Sequence, residues 1–246
     1  MPLDNSRVEN GSSGEKVSAF FHQHLKPAGE TGVIYCMPTP RLLLILFVLI
    51  SPFALSEGEE DSGKTIMFFG DSLTAGYGVN YEASYPMELQ VLLDDNGLSW
   101  KVIPSGVSGE TTAGGLRRVN WALRQHVDVF VLALGGNDGL RGIDLENTRA
   151  NLIETAKKAR AKYADIRVVI AGMQIPPNLG KRYTEAFRNL YPEVAETLNA
   201  DLIPFLLEGV GGEREHNLSD GIHPNEHGHR LIANHLFNTL RPILLE

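Results

Sequence analysis

One cysteine, Cys36, occurs in 246 residues, and it lies ahead of every stretch with regular patterning. A lone thiol excludes an internal disulfide and a cysteine-built metal site. Basic residues are also scarce: 22 Lys and Arg stand against 30 Asp and Glu, a formal net charge of −8. No basic patch or stripe stands out, which argues against nucleic-acid binding. Long apolar runs are missing as well. The longest, Leu42 to Ile50, has nine residues, whereas a membrane span needs about 20. Internal repeats are absent, and so is the Gly-x-Ser-x-Gly string that marks the nucleophile elbow of α/β-hydrolases.

What is present begins with an N-terminal part unlike the rest. Residues 1–36 are polar and aperiodic, with Asn10-Gly-Ser-Ser-Gly14 among them. Met37-Pro-Thr-Pro-Arg41 then leads into the apolar run Leu42 to Ile50 and a small-residue exit at Ala54 and Ser56. A basic lead, a short apolar core and a small-residue exit read as a secretory signal peptide over residues 37–56. A retained interfacial anchor is the alternative. Because a signal peptide belongs at a chain start, Met37 is the expected true start and residues 1–36 a non-native or disordered extension. The remaining 57–246 form one domain. Four acidic and four basic residues precede it, so its charge stays at −8. Cys36 falls outside it, which removes thiol catalysis, and the expected location is the periplasm or the extracellular space.

From Thr65 onward strand and helix patterns alternate. Strands are expected at Thr65–Phe69, Trp100–Ile103, Val127–Leu134, Arg167–Ala171 and Leu202–Ile203. Helices are expected from Ser84 (as N-cap) to Asn96, Thr112 to Leu123, Leu145 to Tyr163, Tyr183 to Leu198 and Asn225 to Leu240. Parallel neighbours need helical crossovers, so the pattern predicts an α/β three-layer sandwich with a five-stranded parallel sheet in the flavodoxin-like order 2-1-3-4-5. Ligands in such folds sit at the carboxyl ends of the strands, at the switch between the first and third.

Ser72 falls there, in Gly70-Asp-Ser-Leu73 just past the first strand. Alone it reads as a turn or capping serine. Acyl transfer at a serine also needs a base, a group orienting the base, and donors for an oxyanion. His223, three residues after Asp220 in a glycine-containing loop, supplies the first two. That spacing lets the carboxylate meet Nδ1–H and turns Nε2 outward. The donors are the N–H of Ser72, the N–H of Gly109 and the side-chain amide of Asn137, each just after a strand. Asp71 is expected to hold the turn.

These four blocks resemble those of GDSL-type SGNH hydrolases, specifically the bacterial multifunctional arylesterase/thioesterase/lysophospholipase group. The likeness rests on Gly70-Asp-Ser-Leu73, Gly109, Gly135-Gly-Asn-Asp138 and Asp220-Gly-Ile-His223. It extends through Leu134–Gly142, Gly172–Asn178 and Leu202–Glu208. The resemblance implies Ser72 as nucleophile, His223 as base, Asp220 as its partner, and Ser72, Gly109 and Asn137 as the oxyanion hole. It implies a monomer acting on small acyl esters or thioesters without a cofactor. It also makes Leu140-Arg141-Gly142 a mobile loop over the acyl chain, with Gly139 and Gly142 as hinges. Met173, Ile175, Pro176, Pro177 and Leu179 then line an acyl groove, or else merely cover the sheet edge.

Three other readings stay beside this one. His223-Pro-Asn-Glu-His227 matches an H-x-x-E-H zinc string. Pro224 at a first helical position places His223 before the helix and turns it from His227, which argues against zinc. His227, His229 and His235 then fall on or beside the exposed face of the last helix. A carbohydrate O-deacetylase would use the same catalytic set, and a non-catalytic lipid-binding module would use none of it.

Overall fold

Apolar residues fill the segments from Ile66 to Phe69 and from Val129 to Ala133 without polar interruption, the signature of strands covered on both faces. The computed structural model describes residues 63–246. The extension expected over 1–36 and the signal peptide over 37–56 lie outside these residues. The described residues hold five strands: β1 (Lys64–Gly70), β2 (Trp100–Gly106), β3 (Val129–Ala133), β4 (Arg167–Ala171) and β5 (Asp201–Ile203). All neighbours pair in parallel, in the order β2-β1-β3-β4-β5, as expected. In this register Gly70 lies between Gly106 and Ala133, so the ends of three strands are level beneath Ser72.

Seven α-helices connect and cover the sheet: α1 (Ser72–Ala75), α2 (Tyr85–Asp95), α3 (Thr112–Ala122), α4 (Gly136–Leu140), α5 (Leu145–Lys162), α6 (Lys181–Leu198) and α7 (Glu226–Leu244). α2 packs on α7, while α3, α5 and α6 pack in series. The core is aromatic at its centre. Phe69 and Phe130 lie with ring centroids 5.4 Å apart, and each buried ring contributes about 2 kcal/mol.

Several boundaries differ from the sequence reading. β2 continues through Pro104 to Gly106, because β2 is an edge strand and loses no ladder bond to a proline there. α7 runs on to Leu244, with Pro242 in its last turns. A helix start was expected at Ser72, where α1 begins, whereas α4 was not expected as a helix. α1 sits close over the end of β2 because Gly106 has no side chain: a Cβ there would come within 2.3 Å of the Ala75 nitrogen. Gly139, expected as a hinge, is instead a packing contact, where a Cβ would meet Ile175 and Phe187 at 2.7 Å.

His229 is a correction of another kind. Expected on an exposed face, it is fully buried, and its Nδ1 accepts from the backbone N–H of Tyr85 at 3.1 Å. The histidine thereby serves the first N–H of α2. Ser84, at the N-cap position, makes no cap bond and donates instead to the Tyr81 carbonyl at 2.6 Å. Among the described residues no helix is long and apolar enough to cross a membrane.

Candidate active site

β1 ends at Gly70, and Asp71 begins α1 by accepting from the Leu73 N–H at 3.1 Å. That cap turns the chain sharply and puts Ser72 at the first helical position, 8% exposed. Its Oγ lies 3.0 Å from Nε2 of His223, and Nδ1 of His223 lies 2.7 Å from Oδ2 of Asp220. An ionised carboxylate only accepts, so Nδ1 carries the proton and Nε2 is left as acceptor for the serine hydroxyl. The Asp–His spacing works because Asp220 closes a local turn. Its Oδ1 accepts from the backbone N–H groups of Ile222 at 2.9 Å and His223 at 3.0 Å. Partial burial would raise the Asp220 carboxyl. These N–H groups and the imidazole outweigh that and hold it down at about 2. The Tyr77 ring rests against the His223 ring with centroids 4.5 Å apart, and the His223 carbonyl accepts from the Leu218 N–H at 2.7 Å.

The three donors expected for an oxyanion are Ser72, Gly109 and Asn137. Among the described residues the backbone N–H groups of Ser72 and Gly109 bond no protein acceptor. Gly109 holds a φ of 76°, in the left-handed region that glycine adopts without strain. Asn137 lies in the first turn of α4. Its Nδ2 donates to the Glu110 carbonyl at 3.0 Å and to Oδ2 of Asp71 at 3.2 Å. Asp71 therefore holds the turn, as expected, and also orients Asn137. Burial pushes its carboxyl up to about 6, against the pull of the Leu73 N–H, the Asn137 amide and His223.

Ser72, Asn137 and His223 border a cavity of about 520 Å³ whose remaining walls are mostly apolar. An activated hydroxyl, a donor cluster and an apolar recess together suit acyl transfer. The sequence profile of the GDSL-like Lipase/Acylhydrolase family matches residues 68–231, which span this whole arrangement. The chain belongs to that family. It is a hydrolase of ester bonds.

Relatives agree in extent as well as pattern. The hydrolase is 38% identical to Esterase TesA of Pseudomonas aeruginosa over 187 residues, covering 76% of this chain and 92% of the relative. It is 34% identical to thioesterase 1/protease 1/lysophospholipase L1 of Escherichia coli K12, covering 82% of this chain and 93% of the relative. Among solved structures, the psychrotrophic esterase EstA of a Pseudoalteromonas species, inhibited by monoethylphosphonate, superposes with a TM-score of 0.70. That match has 31% identity and covers 74% of this chain and all of the other.

Within the hydrolase, Met173, Ile175, Pro176 and Pro177 line the cavity, together with Leu140 from the expected loop. Two residues do not. Leu179 lies in a neighbouring groove with Leu145 and Tyr183, because the turn Pro177–Leu179 carries it past the cavity. Arg141 is also outside the cavity lining, and its Nη2 donates to the Gly109 carbonyl at 3.0 Å and to Oδ1 of Asn137 at 3.4 Å. Phe205, Leu207 and Ile222 complete the wall and were missed. The apolar run after β5 was the sequence signal for Phe205 and Leu207, and Ile222 lies in the loop between Asp220 and His223. His223 and His227 take different partners, since His227 stacks on His216 with centroids 4.9 Å apart.

Proposed function

We propose that the protein is a serine esterase that cleaves carboxylic esters and thioesters of small to medium acyl chains, aryl esters and lysophospholipids included, through an acyl-enzyme on Ser72. The observation that carries this reading is the Ser72–His223–Asp220 chain, 3.0 and 2.7 Å, at the mouth of an apolar cavity. Ser72 Oγ attacks the carbonyl carbon as His223 Nε2 takes its proton. The oxyanion is received by the N–H groups of Ser72 and Gly109 and by the Asn137 amide, which gives up its longer contact to Asp71. Protonated His223 then delivers the proton to the leaving oxygen or sulfur, and the acyl group stays on Ser72. Water, deprotonated by His223, attacks that ester; the carbon–Oγ bond breaks as His223 returns the proton to Ser72 Oγ, and the acid departs. Asp220 keeps the imidazole in the working tautomer and stabilises its charged form.

The recess lined by Leu140, Met173 and Ile175 favours an acyl chain longer than acetyl, which weighs against a carbohydrate O-deacetylase. The segment at 37–56 supports action in the periplasm or outside the cell. The test is a series of p-nitrophenyl esters from acetyl to dodecanoyl, run on the parent and on Ser72→Ala. The parent is expected to prefer a chain beyond acetyl and to be labelled by a fluorophosphonate. Ser72→Ala should stay folded, lose the label and lose about three or more orders of magnitude in kcat. Near-parental turnover in that variant overturns the nucleophile, and a strict acetyl preference selects the deacetylase.

A further inference from the structure

Arg141 lies outside the lining of the cavity and touches both Gly109 and Asn137. From these contacts we infer that Arg141 is a positioning residue for the oxyanion hole. It fixes the rotation of the Asn137 amide and the seat of Gly109 without touching the acyl chain. The inference rests on the Ser72 acyl-transfer reading above.

The amide argument is one of donors and acceptors. Nδ2 of Asn137 faces two acceptors, the Glu110 carbonyl and the Asp71 carboxylate, while Oδ1 faces the guanidinium. A guanidinium only donates. Turned over, the amide would set its oxygen against two acceptors and its nitrogen against a donor, so both ends would be mismatched. Arg141 is the partner that makes the wrong rotation fail at the oxygen end. It reaches that oxygen because it sits four residues after Asn137, one helical turn on, with its own N–H bonded to the Asn137 carbonyl at 3.2 Å.

Gly109 needs a tether for a different reason. It has no side chain to anchor it, and its φ of 76° commits the loop to a conformation that few other residues adopt. The Arg141 bond to its carbonyl holds one flank. The same side is held again by Glu110, whose carboxylate pairs with Arg118 at 2.5 Å. At 3.4 Å from Oδ1 the guanidinium polarises the amide and strengthens its N–H as a donor.

The experiment compares Arg141→Met, Arg141→Lys and Arg141→Ala with the parent on p-nitrophenyl butyrate, with Ser72→Ala and Asn137→Ala alongside. For Arg141→Met, kcat should fall about 10- to 100-fold while KM stays within about 3-fold, because the lost interaction serves the transition state. The shape of the pH–rate profile and the melting temperature should not move. Arg141→Lys should recover part of the loss. Added methylguanidinium should raise turnover in Arg141→Ala and not in Asn137→Ala. A raised KM with intact kcat assigns Arg141 to substrate binding and overturns the inference, as does parental kcat in Arg141→Met or a melting temperature that falls in step with activity. Parental turnover in Ser72→Ala overturns the underlying nucleophile reading instead, and the inference with it.

Discussion

A buried carboxylate stands immediately before Ser72. Asp71 is 3% exposed, and burial lifts its carboxyl to about 6. A folded-state value above the unfolded one means that the associated stability is complete below about pH 4 and is lost as pH rises through about 6. At neutral pH the ionised group therefore costs roughly 3 kcal/mol. Asp71→Asn removes that cost and keeps an acceptor for the Leu73 N–H. It also presents an NH2 to the Asn137 NH2, so the amide loses one acceptor. The expected outcome is a protein more stable than the parent at pH 7 but not at pH 4, with kcat lowered about 10-fold or more. Urea denaturation at both pH values and steady-state kinetics check it. Single residues were legible in the sequence where their partners were local. Asp220 and His223 are three positions apart and share one turn, so their pairing followed from spacing. Arg141 and Gly109 are 32 positions apart, and no pattern in the chain joins them.

Among the elements, α7 shows what helical phase reveals and what was overlooked in it. His229 precedes Ile232 by three residues and Leu236 by seven, in step with the buried stripe of α7. Phase alone therefore placed it inward, although histidine's polarity suggested the surface. Inside, it joins α7 to the start of α2, and burial, with His223 adding, lowers its imidazole to about 4. A depressed value means that its stability is complete above about pH 6.5 and is lost as pH falls toward 4. The loss approaches about 3 kcal/mol. Asp71 works in the opposite sense over much of the same window, so the parent's own curve is partly flattened. His229→Gln, which keeps an acceptor for the Tyr85 N–H, should retain more of its neutral-pH stability at pH 5 than the parent does. Urea midpoints at pH 5 and 7 measure this difference, and equal losses in both proteins would refute it. α4 shows the reverse limit. Gly136-Asn-Asp-Gly-Leu140 has turn composition, and its helix forms because Asp138 is held by the N–H and hydroxyl of Thr112 at 2.9 and 2.5 Å, a tertiary contact.

For the whole molecule, strand order and the location of the site were readable because apolar runs, crossover lengths and strand-end glycines all pointed to one topology. The cavity wall was read only in part, since Phe205 and Leu207 reach it through the irregular path after β5. The architecture makes the last helix indispensable. α7 covers α2, and the Leu244 carbonyl near its end accepts from the Trp100 indole at 3.2 Å. A chain cut after residue 225 should bare the apolar face of α2 and fail to label with a fluorophosphonate. Full labelling of that fragment would show that α7 is dispensable.

Ser72 and His223 are 151 positions apart. On the proposed mechanism, the serine emerges during synthesis long before its base exists. Most of the sheet is then already translated while the growing chain carries a hydroxyl with no imidazole to activate it. On that mechanism, activity switches on only when the final few dozen residues leave the ribosome and close over α2, and the order in which this polypeptide is made keeps the hydrolase inert until then.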